Sequence, residues 1–163
     1  QAGYSTKRQN VSIGISINNL SVDLTPGKRQ HGLTTDHSLY KSKQDSRTQT
    51  NIKKHINLVK LSGRQREIKA IKIWCYRHQL EFPSIYLELT VIEALRRRPI
   101  GQVARNVSIA LEYLANEFKE ALLIDPANSN NVISDDLTYD EKAAIAIAAQ
   151  VSLFQESWNQ VVW

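Results

Sequence analysis

The sequence predicts an α+β fold: a β-hairpin, the remnant of a larger sheet, followed by a mostly α-helical C-terminal bundle. Three observations carry this. Apolar residues alternate over Val11 to Leu24, the period lengthens to that of a helix from Ile52 onward, and 163 residues with 42% hydrophobic content suffice for a real core. The formal charge of +5 hides an asymmetry, because residues 1–82 hold 15 Lys/Arg against 5 Asp/Glu whereas residues 83–163 hold 6 against 11. The basic half is where a polyanion would be drawn. No apolar run reaches the roughly 20 residues of a spanning helix, so no membrane is expected as a partner. No charged-then-apolar leader opens the chain, and Cys75 alone can form neither an internal disulfide nor a cysteine-built zinc site. Cytoplasm is the expected compartment. The chain begins at Gln1 and has no methionine, which reads as a piece of something longer.

In Val11–Leu24 the residues Val11, Ile13, Ile15 and Ile17, then Leu20, Val22 and Leu24, flank Asn18-Asn19, a pair that tolerates the left-handed backbone of a tight turn. Asp23 falls on the opposite face from Leu20, Val22 and Leu24. Two strands make a poor sheet by themselves, so further strands are expected upstream of Gln1. Thr25–Asn51, with Pro26-Gly27 and Gly32, is polar and lacks periodicity; it reads as a loop or a set of short elements. The domain boundary is accordingly placed between 1–51 and 52–163.

The helical part begins with a short segment around Ile56 and Val59. Ser62-Gly63 opens a second helix through Gln79, with Ile68, Ile71, Cys75 and His78 at helical spacing. After Phe82-Pro83, Ser84 can cap a third helix through Leu87, Val91, Ile92 and Leu95 to the Arg96-Arg97-Arg98-Pro99 stop. A long helix is expected over Ile100–Leu123, with Val103, Val107, Leu111, Leu114, Phe118 and Leu122 in one stripe. Thr138 and Glu141 make a capping box for an alanine-rich helix from Tyr139 to Trp158.

Residues 19–26 (NLSVDLTP) resemble the strand carrying the third metal-binding aspartate of the DNA polymerase β-like nucleotidyltransferases. Downstream, Thr48-Gln49-Thr50-Asn51 with His55, then residues 67–74 (EIKAIKIW), 82–89 (FPSIYLEL) and 124–132 (IDPANSNNV), are similar in order and spacing to the helical half of the bacterial relatives of oligoadenylate synthase and cyclic GMP-AMP synthase, the CD-NTases. The resemblance implies transfer of NMP from an NTP to a hydroxyl acceptor, with oligonucleotide second messengers as products and antiviral defence as the setting. It implies two Mg2+ ions held by three carboxylates. Asp23 matches only the third carboxylate. No Gly-Ser turn followed by a paired Asp-x-Asp or Asp-x-Glu is present, and Asp135-Asp136 sits too late to replace it, so this polypeptide alone is expected to be inert. Lys72, two residues before Trp74, matches a lysine that contacts the triphosphate; Lys69 is a weaker candidate. Ser84 matches a serine at a helix N-terminus, where backbone N–H groups can bind phosphate. The residue after it, often an aromatic that stacks on the base, is Ile85 here, followed by Tyr86.

Several conspicuous residues have plainer readings. Trp74 suits a core anchor and Cys75 a small buried residue. His31, His37, His55 and His78 lack metal-ligand spacing, and His55 reads as structural. Arg96 to Arg98 suit a helix C-terminus better than a nucleic-acid backbone. Asp125-Pro126 and Asn128 to Asn131 read as a turn. An alternative of a different class stays open: a non-catalytic nucleotide- or nucleic-acid-binding module whose basic half meets RNA or DNA. So does a stable core with no activity of its own.

Overall fold

A computed structural model describes residues 5–9, 11–18, 20–30, 35–42 and 45–161. Val162 and Trp163, like Asn19, His31 and Gly32, lie outside the described residues. The chain divides into two units, Gln1–Lys54 with Pro126–Asn131, and His55–Asp125 with Val132–Trp163.

In the first unit the alternation of isoleucines makes strand β2 (Ile13–Ile17), which pairs antiparallel with β3 (Leu20–Leu24) in the register Ile13↔Leu24, Ile15↔Val22 and Ile17↔Leu20. Asn18 turns the chain at φ 49°, the left-handed conformation asparagine tolerates. The six aliphatic side chains share one face and Asp23 stands on the other, opposite Gly14. A third strand, β1 (Thr6–Arg8), pairs on the far side of β2. The two-stranded expectation is corrected here: the third strand comes from within the chain, in a stretch too short and polar to show alternation.

Thr25–Asn51 holds a second antiparallel sheet, β4 (Gly27–Arg29), β5 (His37–Lys41) and β6 (Ser46–Thr50), in that order. The short elements are therefore one meander, which the sequence hides because Ser, Arg, Thr and Gln occupy both of its faces. Lys41 is buried and its Nζ donates to Asn131 Oδ1 at 2.8 Å, while Asn128 Nδ2 donates to the Gln49 carbonyl at 3.1 Å. Asn51, also buried, donates to Asp36 Oδ1 at 2.7 Å and accepts from the Lys54 backbone at 3.0 Å. It thus caps the first helix, α1 (Ile52–Ser62).

The second unit packs α2 (Gln65–Arg77), α3 (Ser84–Ala94) and α4 (Val103–Asn116) with α5 (Tyr139–Leu153) around one apolar core. Between α4 and α5 lie the short strands β7 (Ile124–Asp125) and β8 (Asn128–Val132), and α6 (Trp158–Val161) follows α5. Helix α2 ends in a Schellman motif: Gln79 takes φ 53° and Leu80 N–H reaches back to the Cys75 carbonyl at 2.9 Å. Trp74 is fully buried and donates from Nε1 to Ser152 Oγ at 2.8 Å, and burial pushes the Cys75 thiol up to about 12. Both residues are core, as their place on the apolar stripe implies. The Thr138/Glu141 capping box is present at the start of α5. Among the described residues no helix is long and apolar enough to cross a membrane.

Two helices stop earlier than their periodicity suggests. Helix α4 ends at Asn116, whose Nδ2 bonds back to the Glu112 carbonyl at 2.9 Å, a local bond that competes with helix continuation. Phe118 then enters the core in a 3-10 turn (Phe118–Glu120), and Leu122, expected on the stripe, is 70% exposed. The alanine-rich helix ends at Leu153, before the separate turn at Trp158.

Phe82, Tyr86 and Phe118 form an aromatic cluster with ring centroids 5.2–5.3 Å apart. The Tyr86 hydroxyl is buried without a hydrogen-bond partner among the described residues, and desolvation drives its pKa up. An unmade buried hydrogen bond costs free energy, so Tyr86→Phe is expected to raise stability by about 1 kcal/mol in chemical denaturation. A loss of that size would show instead that the hydroxyl is bonded.

Arg64, buried just before α2, donates to the carbonyls of Leu95 at 2.9 Å, Pro99 at 3.2 Å and Arg98. These are the carbonyls at and just beyond the end of α3. The C-terminus of that helix is therefore capped by a residue some thirty positions upstream, and Arg96–Arg98 follow directly on its end. Their side chains are exposed, and Arg96 pairs with Glu93.

Candidate functional site

The candidate residues fall in both units. Asp23 belongs to the first, where its Oδ1 accepts from Gln9 Nε2 at 2.9 Å; Gln9 Oε1 in turn accepts from Ser12 Oγ at 2.9 Å. Gly14 leaves the room for this pair. A Cβ there would lie 3.1 Å from Gln9 Nε2 and 3.2 Å from Asp23 Oδ1. Asp23 is exposed, on the face of the sheet opposite the aliphatic side chains.

A pair of divalent ions needs more than this. Among the described residues no group of three or more His, Cys, Asp or Glu side chains could hold a metal ion. The residues present do not fit a two-metal centre by themselves.

In the second unit α2 and α3 bring Lys72 to Glu88, with Nζ 2.6 Å from Oε1. Glu88 lies one turn after Ser84 on the same face of α3, and Lys69 lies one turn before Lys72 on α2, exposed. Ser84 itself is the first helical residue and makes no capping hydrogen bond; Pro83 occupies the N-cap. This corrects the capping role. A proline there follows from its fixed φ, here −54°, and leaves the Ser84 hydroxyl and the first N–H groups of α3 without capping partners from it. Tyr86 is fully buried, so neither it nor Ile85 offers a stacking surface for a base.

His55 and Asp125 stand in two separate motifs of the sequence, one read as structural and the other as part of a turn. In the structure His55 Nε2 lies 2.7 Å from Asp125 Oδ1, and the Asp125 side chain is buried. Asp125 is therefore more than a turn residue: it ties the first turn of α1 to β7. Glu88 was likewise missed. Lys72 and Glu88 are 16 residues apart, a separation that only the packing of α2 on α3 turns into contact; the i,i+4 relation of Ser84 and Glu88 was the one local signal.

The α+β arrangement, small antiparallel sheets with a helical bundle, is a fold found in solved structures. It is shared with CdnC of E. coli MS115-1, at a TM-score of 0.71 for CdnC in complex with HORMA-deltaN and 0.73 for CdnC with ATP. In both cases identity is 17%, and the match covers 96% of this chain and 64% of that chain. The chain thus spans less than two thirds of the length of the structures it matches. No protein-family model matches the sequence, and no curated protein matches it. The motif resemblance and the backbone likeness agree on the same fold.

Proposed function

We propose that this chain is the C-terminal portion of a cytoplasmic nucleotidyltransferase that moves NMP from an NTP to a hydroxyl and builds oligonucleotide second messengers, in antiviral defence. The observation that carries this is the fold shared over 96% of the chain with CdnC, one of whose structures was solved with ATP. Residues 1–51 complete the catalytic core and residues 52–163 form its helical domain. Asp23 is the third ligand of a Mg2+ pair whose other carboxylates come from sequence outside these residues, so the isolated chain is inactive. Lys72, with Lys69 beside it, contacts the triphosphate as a mobile cation, and Ser84 offers a hydroxyl and backbone N–H groups at the start of α3.

The second reading, a non-catalytic module that binds nucleotides, RNA or DNA through the basic half, draws on the 15 to 5 excess of Lys/Arg over residues 1–82. Part of that excess is not on offer to a polyanion, since Lys41 and Arg64 are buried.

Incubation of the complete native polypeptide with each labelled NTP and Mg2+ separates the two. New phosphodiester products with release of pyrophosphate are expected. Polyanion binding that weakens steeply with salt, without NTP turnover, would favour the second reading instead.

A further inference from the structure

We propose that Glu88 is a built-in competitor for the phosphate at Lys72, a counter-anion that neutralises the ammonium until a bound phosphate displaces it. This rests on the reading of Lys72 as a triphosphate contact, and it adds a residue that sets how tightly phosphate is held there.

The geometry is specific. Lys72 Nζ lies 2.6 Å from Glu88 Oε1, and the two side chains are 39% and 20% exposed, so solvent and solutes can reach the pair. An ammonium has three N–H donors. With one of them on Glu88, a phosphate oxygen on another would sit within about 5 Å of the carboxylate, close enough for like charges to repel strongly at a partly exposed site. Glu88 also shares a face of α3 with Ser84, so its charge faces the same side as the helix N-terminus offered to phosphate. Lys69, one turn away on α2, makes no ion pair among the described residues and supplies attraction that Glu88 does not cancel.

The consequence is a tempered affinity. Displacing the ion pair costs every phosphate alike, and the carboxylate then repels a bound ligand in proportion to its charge. Glu88 therefore weakens the binding of all phosphates at Lys72 and weakens the most highly charged ones most, which keeps the triphosphate end of an NTP exchangeable.

The test is calorimetric titration of inorganic tripolyphosphate and of orthophosphate into the complete native polypeptide, its Glu88→Gln and Lys72→Met variants, and the double variant. Gln keeps the shape of Glu, and an unchanged thermal midpoint checks the fold. Glu88→Gln is expected to tighten tripolyphosphate about three- to tenfold and orthophosphate by a smaller factor. Lys72→Met is expected to loosen tripolyphosphate, and in its background the gain from Glu88→Gln should shrink to about twofold or less. If Lys72→Met weakens binding while Glu88→Gln leaves it unchanged or weaker, the competitor role is wrong although Lys72 remains a phosphate contact. If Lys72→Met changes nothing, the reading of Lys72 falls and the inference with it.

Discussion

Arg64→Ala is expected to lower the stability of the helical unit by about 3–5 kcal/mol, the range found when one partner of a buried ion pair is removed. Its guanidinium donates to three backbone carbonyls at the end of α3 and lies 3.6 Å from Glu67 Oε1. Glu67 is 1% exposed, and its other recorded partner is Asn106 Nδ2 at 2.9 Å. The substitution therefore strands a buried carboxylate and takes the donor from the Arg98 carbonyl, while the carbonyls of Leu95 and Pro99 keep the Arg98 N–H at 3.0 Å and Asn106 Nδ2 at 2.9 Å. Arg64→Lys keeps the charge but lacks the planar fork that reaches several acceptors, so it should recover only part of the loss. Glu67→Gln added to Arg64→Ala should recover another part, because the stranded charge is gone. Urea denaturation of the four proteins reads this directly. An Arg64→Ala protein within about 1 kcal/mol of the original would mean that the network is not a determinant of stability.

How much of this was legible in the sequence depends on whether the information was local. The β2–β3 hairpin was readable because six aliphatics at alternate positions flank an asparagine that can turn, and α5 because Thr138 and Glu141 announce its start. The meander β4–β6 was not, because Ser46-Arg47-Thr48-Gln49-Thr50 places polar side chains on both faces and gives no period to detect. Helix α4 kept its apolar spacing past its true end. Periodicity counts residues, and it cannot register that Phe118 leaves the helix to meet Phe82 and Tyr86.

The site divides in the same way. Asp23, Lys69, Lys72 and Ser84 stand in short motifs and could be nominated in advance. The partners that decide their chemistry are not adjacent to them. Gln9 bonds Asp23 from 14 positions away, Glu88 holds Lys72 from 16, and Asp125 meets His55 from 70. Ser84 shows a further limit: a serine after proline looks like a cap, but proline takes the N-cap and moves the serine one place into the helix.

Asp23 carries the largest expected effect on activity. In the proposed function Asp23 ligates a divalent ion, and such a ligand supports charge development worth several kcal/mol in the transition state, so its loss is expected to slow nucleotidyl transfer by roughly three orders of magnitude or more. Asp23→Asn isolates that effect from the fold. The asparagine oxygen can still accept from Gln9 Nε2, and the pairing of β2 with β3 runs through the backbone, so the sheet should be unchanged while the charge is gone. Asp23→Ala, which also removes the bond to Gln9, should be no more active than Asp23→Asn.

The most direct test of the account is therefore chromatography of the products formed from labelled NTPs and Mg2+ by the complete native polypeptide and by its Asp23→Asn variant at matched circular dichroism. Phosphodiester products from the first and none from the second are predicted; products formed by the variant at the original rate would contradict the assignment of Asp23 to the catalytic centre and, with it, the proposed chemistry of this chain.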